Sequence, residues 1–296
     1  MRNSKRLKIK STILKSLPRW AQKLLNSYLY KRAIGRKLNW KRPRAYTEKM
    51  QWAKFYDNSE IKTLLTDKYA VRDWIKEKIG EEFLIPIIVV WNKFSEIDFS
   101  KLPQQFVLKT NHGSGSVIIV KDKNKFNISE AEKKFNDWMN IDFAYATGFE
   151  LHYSGINRKI IAEKYLETNI GELQDYKFLC FGGKPYFCWV DLDRFGKHTR
   201  NVYDLNWNLQ PWNQYTYGNS NRPIPIPKNF EKMIEIATTL CQGFSHVRVD
   251  LYNLDGKIYF GEMTFTNGCG FDRIIPDEYD FELGKLWDIN TIQRKQ

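Results

Sequence analysis

Apolar residues recur at helical spacing in three parts of the chain. Between residues 13 and 29 they fall three or four positions apart, with lysines and arginines between them. Pro18 either interrupts this helix or occupies its first turn. Similar spacing runs from residue 56 to Gly80, a natural stop for a helix, and from residue 230 to residue 241. We therefore predict a helical N-terminal region and two further helices. A third helix is predicted to begin at Ser129, where Ser129 and Glu132 fit a capping box.

Short apolar runs of the kind found in β-strands occupy much of the remaining chain. The run at residues 83–91 contains Pro86, which favours a strand start or an edge position. Two other runs flank Gly182-Gly183, a dipeptide typical of a tight turn. Residues 194–221, in contrast, show little periodicity and are long enough to form a functional loop. The predicted strands lie at residues 83–91, 106–108, 117–120, 160–166, 175–181 and 185–192, and in two alternating runs between residues 247 and 262.

The composition is that of a folded protein whose positive charge is concentrated at one end. The 296 residues are 42% hydrophobic and 15% aromatic, which suffices for a sizeable core in two lobes. Lys and Arg total 47 against 34 acidic residues, but 16 of the basic residues and a single acid, Glu48, lie in residues 1–49. The remaining chain is close to neutral. A basic terminus on a neutral body predicts a local docking device rather than a nucleic-acid-binding protein.

The basic amphipathic N-terminal helix has two interpretations. It contains Trp20, and it could lie on an anionic membrane surface, where each Lys or Arg contributes about 1 kcal/mol. Alternatively, the helix packs on the body and leaves a solvated basic face. A purely non-enzymatic adaptor for nucleic acid or membrane is a further alternative, and nucleic acid is the less favoured partner.

The cysteines and the apolar runs bear on the cellular location. Cys180, Cys188, Cys241 and Cys269 have neither metal-ligand spacing nor a disulfide pattern, so we expect reduced core thiols. The chain has no apolar run of about eighteen residues, and no apolar block follows the basic N-terminus. We predict a cytoplasmic protein, with the inner face of the plasma membrane as a candidate docking surface.

The glycine-rich segment between two of the predicted strands suits phosphate binding. Lys109 ends the first strand, and Gly113, Ser114, Gly115 and Ser116 form the loop before the second. Glycines allow the backbone N–H groups to approach an anion closely, and the lysine supplies positive charge. His112 could donate to a phosphate or be an ordinary turn residue. An ordinary hairpin with a polar turn is the alternative, and the loop is not a Walker motif.

Two carboxylates near the C-terminus form a candidate metal site. Asp250 and Glu262 lie in two alternating runs joined through Asp255-Gly256. With a two-residue turn, Asp250 would face Gly261 and Glu262 would point to the other side of the sheet. With a three-residue loop, the two carboxylates face each other, and they would repel unless a cation lies between them. We predict the three-residue loop and bound Mg²⁺, which typically uses one or two carboxylates plus substrate phosphates.

Taken together, these stretches resemble the ATP-grasp superfamily, and within it the TupA-like group named for teichuronopeptide biosynthesis. The resemblance covers most of the chain, from residue 46 to about residue 287. The matching segments are residues 46–52, 67–72, 106–115, 161–166, 175–178, 248–250 and 261–265.

The resemblance implies an α+β fold in which two lobes with antiparallel sheets clamp ATP. The implied divisions are a basic helical region at residues 1–49, a smaller lobe with the glycine loop at residues 50–166 and a larger lobe with the metal hairpin at residues 167–296. The implied ATP-binding residues are Lys68, Lys109, His112, Gly113, Ser114, Gly115, Ser116, Glu163, Lys164, Tyr165 and Leu166, the last four at the adenine.

The resemblance also implies carboxylate activation followed by amide formation. ATP and Mg²⁺ would convert a carboxylate to an acyl phosphate, which an amine then attacks. Lys177 and Arg248 would be catalytic, facing the transferred phosphoryl group and the acceptor carboxylate. Asp250 and Glu262 would hold Mg²⁺. Thr264 stands where many ATP-grasp enzymes have Asn in Glu-x-Asn, and is the candidate third ligand.

One rival activity comes from Asp191-Leu192-Asp193, followed by Arg194. Strand alternation places both aspartates on one face, as in a glycosyltransferase that binds a metal and a nucleotide-sugar. That interpretation leaves Lys109, the glycine loop and the acidic hairpin unexplained, so we prefer Asp193 and Arg194 as acceptor-site residues. The predicted function is a ligase of bacterial surface-polysaccharide or capsule assembly that joins a small-molecule or glycan-linked carboxylate to an amine.

Overall fold

The computed structural model describes residues 2–167, 173–192, 198–220 and 222–292. Helices and antiparallel sheets alternate along the chain, as expected for an α+β protein. The helices are α1 (Arg2–Ser16), α2 (Arg19–Ile34), α3 (Tyr46–Tyr56), α4 (Glu60–Thr66), α5 (Val71–Ile79), α6 (Ile128–Met139), α7 (Phe143–Ala146), α8 (Phe230–Leu240) and α9 (Glu278–Leu286). The strands are β1 (Ile87–Trp91), β2 (Phe106–Thr110), β3 (Val117–Val120), β4 (Ile160–Lys164), β5 (Asp175–Phe181), β6 (Lys184–Leu192), β7 (Thr199–Asp204), β8 (Asn213–Gln214), β9 (His246–Leu254), β10 (Lys257–Thr264) and β11 (Ile274–Ile275).

The smaller sheet has the strand order β1-β4-β2-β3, and all its pairs are antiparallel. Alternation along β2 places Phe106 and Leu108 on one face, where they pack with Phe135 of α6 in a buried core. The opposite face carries Lys109 of β2 beside the exposed Val117 and Ile119 of β3. This open face is therefore available to a ligand.

The larger sheet has the order β10-β9-β5-β6-β7 and is also antiparallel throughout. One face is apolar and packs on α8, with Phe178, Val249 and Met233 in a single core. The other face is divided. At one end Trp189 packs in a second apolar core beneath α3 and α9, where Trp287 follows the last helix. At the other end the inward side chains are charged, and this end forms the site described below.

Helices α4 and α5 also contribute to the larger core, since Leu65, Val71 and Ile75 are buried in the cluster that contains Phe178. The predicted continuous helix over residues 56–80 was wrong. It is broken at residues 67–70, where Asp67 Oδ1 accepts hydrogen bonds from the backbone N–H groups of residues 69 and 70. The division at residues 49/50 and 166/167 stays a prediction.

The N-terminal region consists of two helices that are separated at Pro18, as the interrupted pattern indicated. One face of α2 packs on the body through Gln22, Asn26, Tyr30 and Ile34, all buried. The opposite face of α2 is exposed. None of the helices in the described part of the chain is long and apolar enough to cross a bilayer. The four cysteines form no disulfide, and Cys180, Cys188 and Cys241 are buried.

The segment at residues 194–221 was wrongly expected to lack regular structure. It contains β7, which lies at one edge of the larger sheet, and β8, which pairs with β11. Its Thr, Val and Tyr residues favour a strand, but the run is short and flanked by polar residues. Pairing with β6, rather than local pattern, determines this strand.

Candidate active site

The charged end of the larger sheet brings together residues from five strands. Strand register places Lys177 opposite Asp250, Asp175 opposite Asp191, Asp191 opposite Arg200, and Asp250 opposite Glu262. Because opposite residues in a sheet share a face, these side chains project to the same side. Two residues predicted to be catalytic and two predicted to bind metal therefore meet on one surface.

These side chains form a continuous chain of ion pairs. Lys177 Nζ lies 2.5 Å from Asp175 Oδ2 and 2.7 Å from Asp250 Oδ2. Arg248 donates to both oxygens of Asp250 at 2.7 Å, and its Nη2 lies 3.3 Å from Glu262 Oε1. The planar guanidinium group of Arg248 matches the Asp250 carboxylate in this two-point geometry. Cations and anions thus alternate from β5 through β9 to β10.

The electrostatic environment keeps Lys177 and Glu262 charged. Burial alone would lower the pKa of Lys177, but Asp175 and Asp250 outweigh it and raise that pKa above its ordinary value. Burial likewise disfavours the Glu262 carboxylate, yet Lys68, Arg248 and Lys177 lower its pKa to about 2. The Glu262 side chain is 33% exposed, whereas Asp250 is 2% exposed. Glu262 is the ionised carboxylate that a ligand can reach.

The hairpin that carries Asp250 and Glu262 differs from the predicted one. Leu254 pairs with Lys257, so the turn has two residues, Asp255-Gly256, and the predicted three-residue loop was wrong. A β-bulge between Phe260 and Glu262 inserts Gly261 and restores the pairing of Glu262 with Asp250. A Cβ at Gly261 would lie 3.0 Å from the Asp250 carbonyl oxygen, so glycine suits this close approach.

The glycine loop approaches this hairpin through Lys68. Lys68 Nζ donates to the Gly113 carbonyl at 2.7 Å and lies 3.5 Å from Glu262 Oε2. The tip of the loop, Ser114 and Gly115, is exposed, and Ser116 is partly buried. One cation therefore links the loop on the smaller sheet to the acidic residue on the larger sheet.

The loop is anchored by Asn111 and by close packing at Gly113. The Asn111 amide donates to Asp67 Oδ1 and to the carbonyl of residue 157, and its oxygen accepts from the backbone of residue 159. Gly113 has φ +85°, and a Cβ there would lie 2.5 Å from the ring of Phe143. Gly115 has φ +77° and no neighbour within 4 Å of such a Cβ. Both positions favour glycine because of their positive φ, but only at Gly113 would a Cβ also clash with a neighbouring side chain.

The position of His112 does not suit hydrogen-bond donation to a phosphate. It is buried, and burial together with Arg158 lowers its pKa to about 4, so the ring is neutral at pH 7. Nε2 lies 3.3 Å from the Trp138 carbonyl, to which it can only donate. That tautomer leaves Nδ1 as an acceptor. A role for His112 at a phosphate stays a prediction that this geometry does not favour.

The predicted adenine segment lies beside the open face of the smaller sheet. Lys109 Nζ lies 2.6 Å from Glu163 Oε2, a diagonal pair across β2 and β4. Lys164 donates its backbone N–H to the Pro86 carbonyl and exposes its side chain, and Tyr165 is partly exposed. Leu166 packs in a small apolar cluster with Ile85 and Tyr259 of β10. The segment therefore contacts both sheets.

A family model described as TupA-like ATP-grasp matches residues 48–288. The chain belongs to the TupA-like ATP-grasp family. The family and the ATP-grasp fold expected from the sequence are thus confirmed. No curated protein matches the chain.

Solved structures of ATP-grasp ligases are similar at low identity. D-alanine–D-alanine ligase from Bacillus anthracis is 19% identical, covering 70% of this chain and 58% of that chain with a TM-score of 0.41. The corresponding ligase from Helicobacter pylori is 13% identical, covering 76% and 62% with a TM-score of 0.40. ATP-grasp ligase PsnB, complexed with its minimal precursor, Mg and ADP, is 10% identical, covering 78% and 62% with a TM-score of 0.40. The chain spans less than two thirds of each of these ligases.

The donor set of this ATP-grasp chain fits Mg²⁺ held jointly with phosphates. Within the described ranges, no group of three or more His, Cys, Asp or Glu side chains could hold a metal by itself. Glu262 is ionised and accessible, and Asp250 has one of about four acceptor sites left after Arg248 and Lys177 use three. Thr264 Oγ1 lies 3.2 Å from Glu262 Oε1. Two carboxylates and a hydroxyl leave room for phosphate and water oxygens.

Two residues of this site were missed from the sequence, and two predicted ones cannot be placed. Arg200 is buried and donates to both oxygens of Asp191, at 2.5 and 2.8 Å. Asp175 contacts Lys177. It lies in the segment 175–178 that carries the family resemblance, but no role was predicted for it. Asp193 and Arg194 lie outside the described residues. Because Arg200 already neutralises Asp191, the structure disfavours the glycosyltransferase alternative, which needs a free carboxylate there.

Proposed function

We propose that this chain is an ATP- and Mg²⁺-dependent carboxylate–amine ligase. The observation that carries the proposal is the position of Lys68, between the glycine-loop carbonyl of Gly113 and the ionised carboxylate of Glu262. A polyphosphate between these groups would meet cations from one sheet and metal-binding oxygens from the other. This is the arrangement that phosphoryl transfer requires, because catalysis there depends on positioning and charge stabilisation.

The proposal assigns a role to each part of the site. Lys68, Lys109 and the backbone of Gly113 to Ser116 would bind phosphates, and Glu163 to Leu166 would bind the adenosine. Asp250, Glu262 and Thr264 would hold Mg²⁺, which when bound neutralises charge on the phosphoryl oxygens. The exposed Val117 and Ile119 beside Lys109 would cover an apolar part of the nucleotide.

The chemistry would proceed in two steps. An oxygen of the substrate carboxylate attacks the γ-phosphorus, the bond to the bridging oxygen breaks, and ADP leaves. The amine then attacks the acyl carbon, the acyl C–O bond breaks, phosphate leaves, and the amine nitrogen loses a proton. Arg248 would bind the substrate carboxylate or the tetrahedral oxyanion, and Lys177 would hold the phosphoryl group and keep Asp250 oriented.

The wider setting of the reaction is also a proposal. Because the chain belongs to the TupA-like family, and that group is named for teichuronopeptide biosynthesis, we extend the proposal to bacterial surface-polysaccharide or capsule biosynthesis. The reaction would take place in the cytoplasm. The acceptor would be a small-molecule or glycan-linked carboxylate. Asp193 and Arg194 remain candidates for the acceptor site. Nucleic acid is not a proposed partner, since the basic excess lies outside the site.

Calorimetric titration with a non-hydrolysable ATP analogue tests the proposal. Wild-type protein should bind the analogue with Mg²⁺ and should not bind a UDP-sugar. Lys109→Ala removes a charge-assisted contact, worth about 1.5–3 kcal/mol, and should weaken binding about ten- to hundredfold. Glu262→Gln should abolish most of the Mg²⁺ dependence.

Matched controls are available on the surface. Lys101 and Glu282 have exposed side chains away from the site, and Lys101→Ala and Glu282→Gln should bind as wild type does. Binding of the UDP-sugar alone, unaffected by Lys109→Ala or Glu262→Gln, would refute the ligase proposal.

A further inference from the structure

Helix α2 carries a row of large apolar side chains on the face that points away from the body. Trp20, Leu24 and Tyr28, spaced four residues apart on one face, are 69%, 66% and 55% exposed. Residues at this spacing lie in a row along a helix. Single exposed apolar residues are common, but a row of three large ones indicates an interaction surface.

Hydrogen bonds made by the opposite face of α2 fix the orientation of the helix. Gln22 donates to the carbonyls of Leu14 and Leu17, and Asn26 donates to Gln51 and accepts from Lys54. These buried polar groups would each be costly to leave unpaired. Gln22 therefore attaches α2 to the end of α1, and Asn26 attaches it to α3 of the body. The helix cannot rotate its exposed apolar row inward without breaking these directional hydrogen bonds.

Helix α1 carries a second pair of exposed apolar residues. Ile9 and Ile13 of α1, also four residues apart, are both more than half exposed. A groove of about 620 Å³ follows α2 and is lined by residues including Leu24, Tyr28, Lys31, Lys37 and Leu38. Apolar and cationic side chains therefore share this surface.

The charge around this apolar surface has a single sign. Every charged residue from Arg6 to Arg44 is Lys or Arg. Lys15 pairs with Asp142 of the body, but most of the other basic side chains face solvent. The exposed basic residues are Arg6, Lys8, Lys10, Lys15, Arg19, Lys31, Arg32, Lys37, Lys41, Arg42 and Arg44.

We propose that α1 and α2 dock this protein on an anionic lipid bilayer. The apolar rows would enter the boundary between headgroups and acyl chains, while the surrounding lysines and arginines contact anionic headgroups. A nucleic acid would match the charge but not the exposed aliphatic side chains of Ile9, Ile13 and Leu24. A second copy of the chain would bring eleven exposed basic residues against the same eleven. The bilayer satisfies both the apolar and the cationic parts.

Vesicle co-sedimentation of the full chain tests this proposal independently of ligase activity. The protein should sediment with vesicles of phosphatidylcholine and phosphatidylglycerol, and far less with phosphatidylcholine alone. Binding should weaken at high salt because headgroup attraction is screened. Replacing Lys31, Arg32 and Lys37 with Gln should weaken binding about a hundredfold, at about fivefold per charge.

The apolar contribution is tested by Trp20→Ser combined with Leu24→Ser, which should release the protein from anionic vesicles. The matched control is Leu209→Ser combined with Ile226→Ser, two exposed apolar positions elsewhere, which should bind as wild type does. Thermal unfolding should be nearly unchanged in both. Equal vesicle binding by all variants would overturn the proposal. So would a dimer in light scattering that Trp20→Ser/Leu24→Ser abolishes, or tighter binding to a DNA duplex than to vesicles.

Discussion

The chain of buried ion pairs makes Lys177→Met a decisive substitution. Methionine keeps the length of the side chain but removes an ammonium that contacts Asp175 and Asp250. Two hydrogen bonds between charged groups contribute about 1.5–3 kcal/mol each, and breaking a buried pair typically costs about 3–5 kcal/mol. We expect the free energy of unfolding to fall by about 3–5 kcal/mol at pH 7.

The pH dependence of this loss identifies its cause. Burial raises the pKa of Asp250 and Lys177 opposes that effect, so removing Lys177 raises the Asp250 pKa further. The folded variant then binds a proton more tightly than the unfolded chain does, and its stability falls as pH rises through the range between the two pKa values. The penalty of Lys177→Met should therefore be larger at pH 7 than at pH 5.

Urea unfolding followed by tryptophan fluorescence at both pH values measures the effect. Lys184, exposed at the start of β6 in the same sheet, provides the control, and Lys184→Met should stay within about 0.5 kcal/mol of wild type. A Lys177→Met penalty below about 1 kcal/mol, or one that does not change between pH 7 and pH 5, would refute the electrostatic reasoning.

Two further predictions concern glycine and lysine positions away from the ion-pair chain. Gly113→Ala should destabilise the protein by about 1–3 kcal/mol more than Gly115→Ala in urea unfolding, because both positions have positive φ but only Gly113 would place a methyl group against Phe143; equal losses would contradict the packing argument. Lys54 is fully buried, and burial lowers its pKa to about 8 despite the opposing Cys269 and Glu150. Because the unfolded chain then holds more protons than the folded one between about pH 8 and pH 10.5, Lys54 should make stability rise with pH in that window. A titration of the lysine side-chain NMR resonances that places Lys54 above pH 10 would exclude this.

The sequence was informative where local alternation and chemistry agree. Asp250 lies in an alternating run followed by a turn dipeptide, so the hairpin that carries it followed from the local pattern. Gly113 and Lys109 lie in a strand–loop–strand pattern that needs no distant contact. The role of Lys177, in contrast, came from the resemblance to ATP-grasp proteins and not from its strand.

The parts that could not be predicted depend on contacts between distant segments. Arg200 is buried by pairing with Asp191 across two strands, and nothing near Arg200 in the sequence indicates that partner. The face of α2 that packs on the body contains the polar Gln22 and Asn26 beside Tyr30 and Ile34, so the apolar pattern left open which face is buried. A three-residue loop was predicted because it places Asp250 opposite Glu262 without a bulge. The structure has a two-residue turn instead, and the inserted Gly261 changes the register several positions beyond that turn.

The bulge at Gly261 and the length of the turn together decide which residue of β10 faces Asp250. A change of one residue in either of them would move Glu262 to the other side of the sheet. The turn is also held in place, because Lys228 pairs with Asp255 and Asn229 donates to the Gly256 carbonyl. A surface epitope grafted at the tip of this hairpin must therefore preserve the pairing of Leu254 with Lys257, or the acidic end loses its geometry.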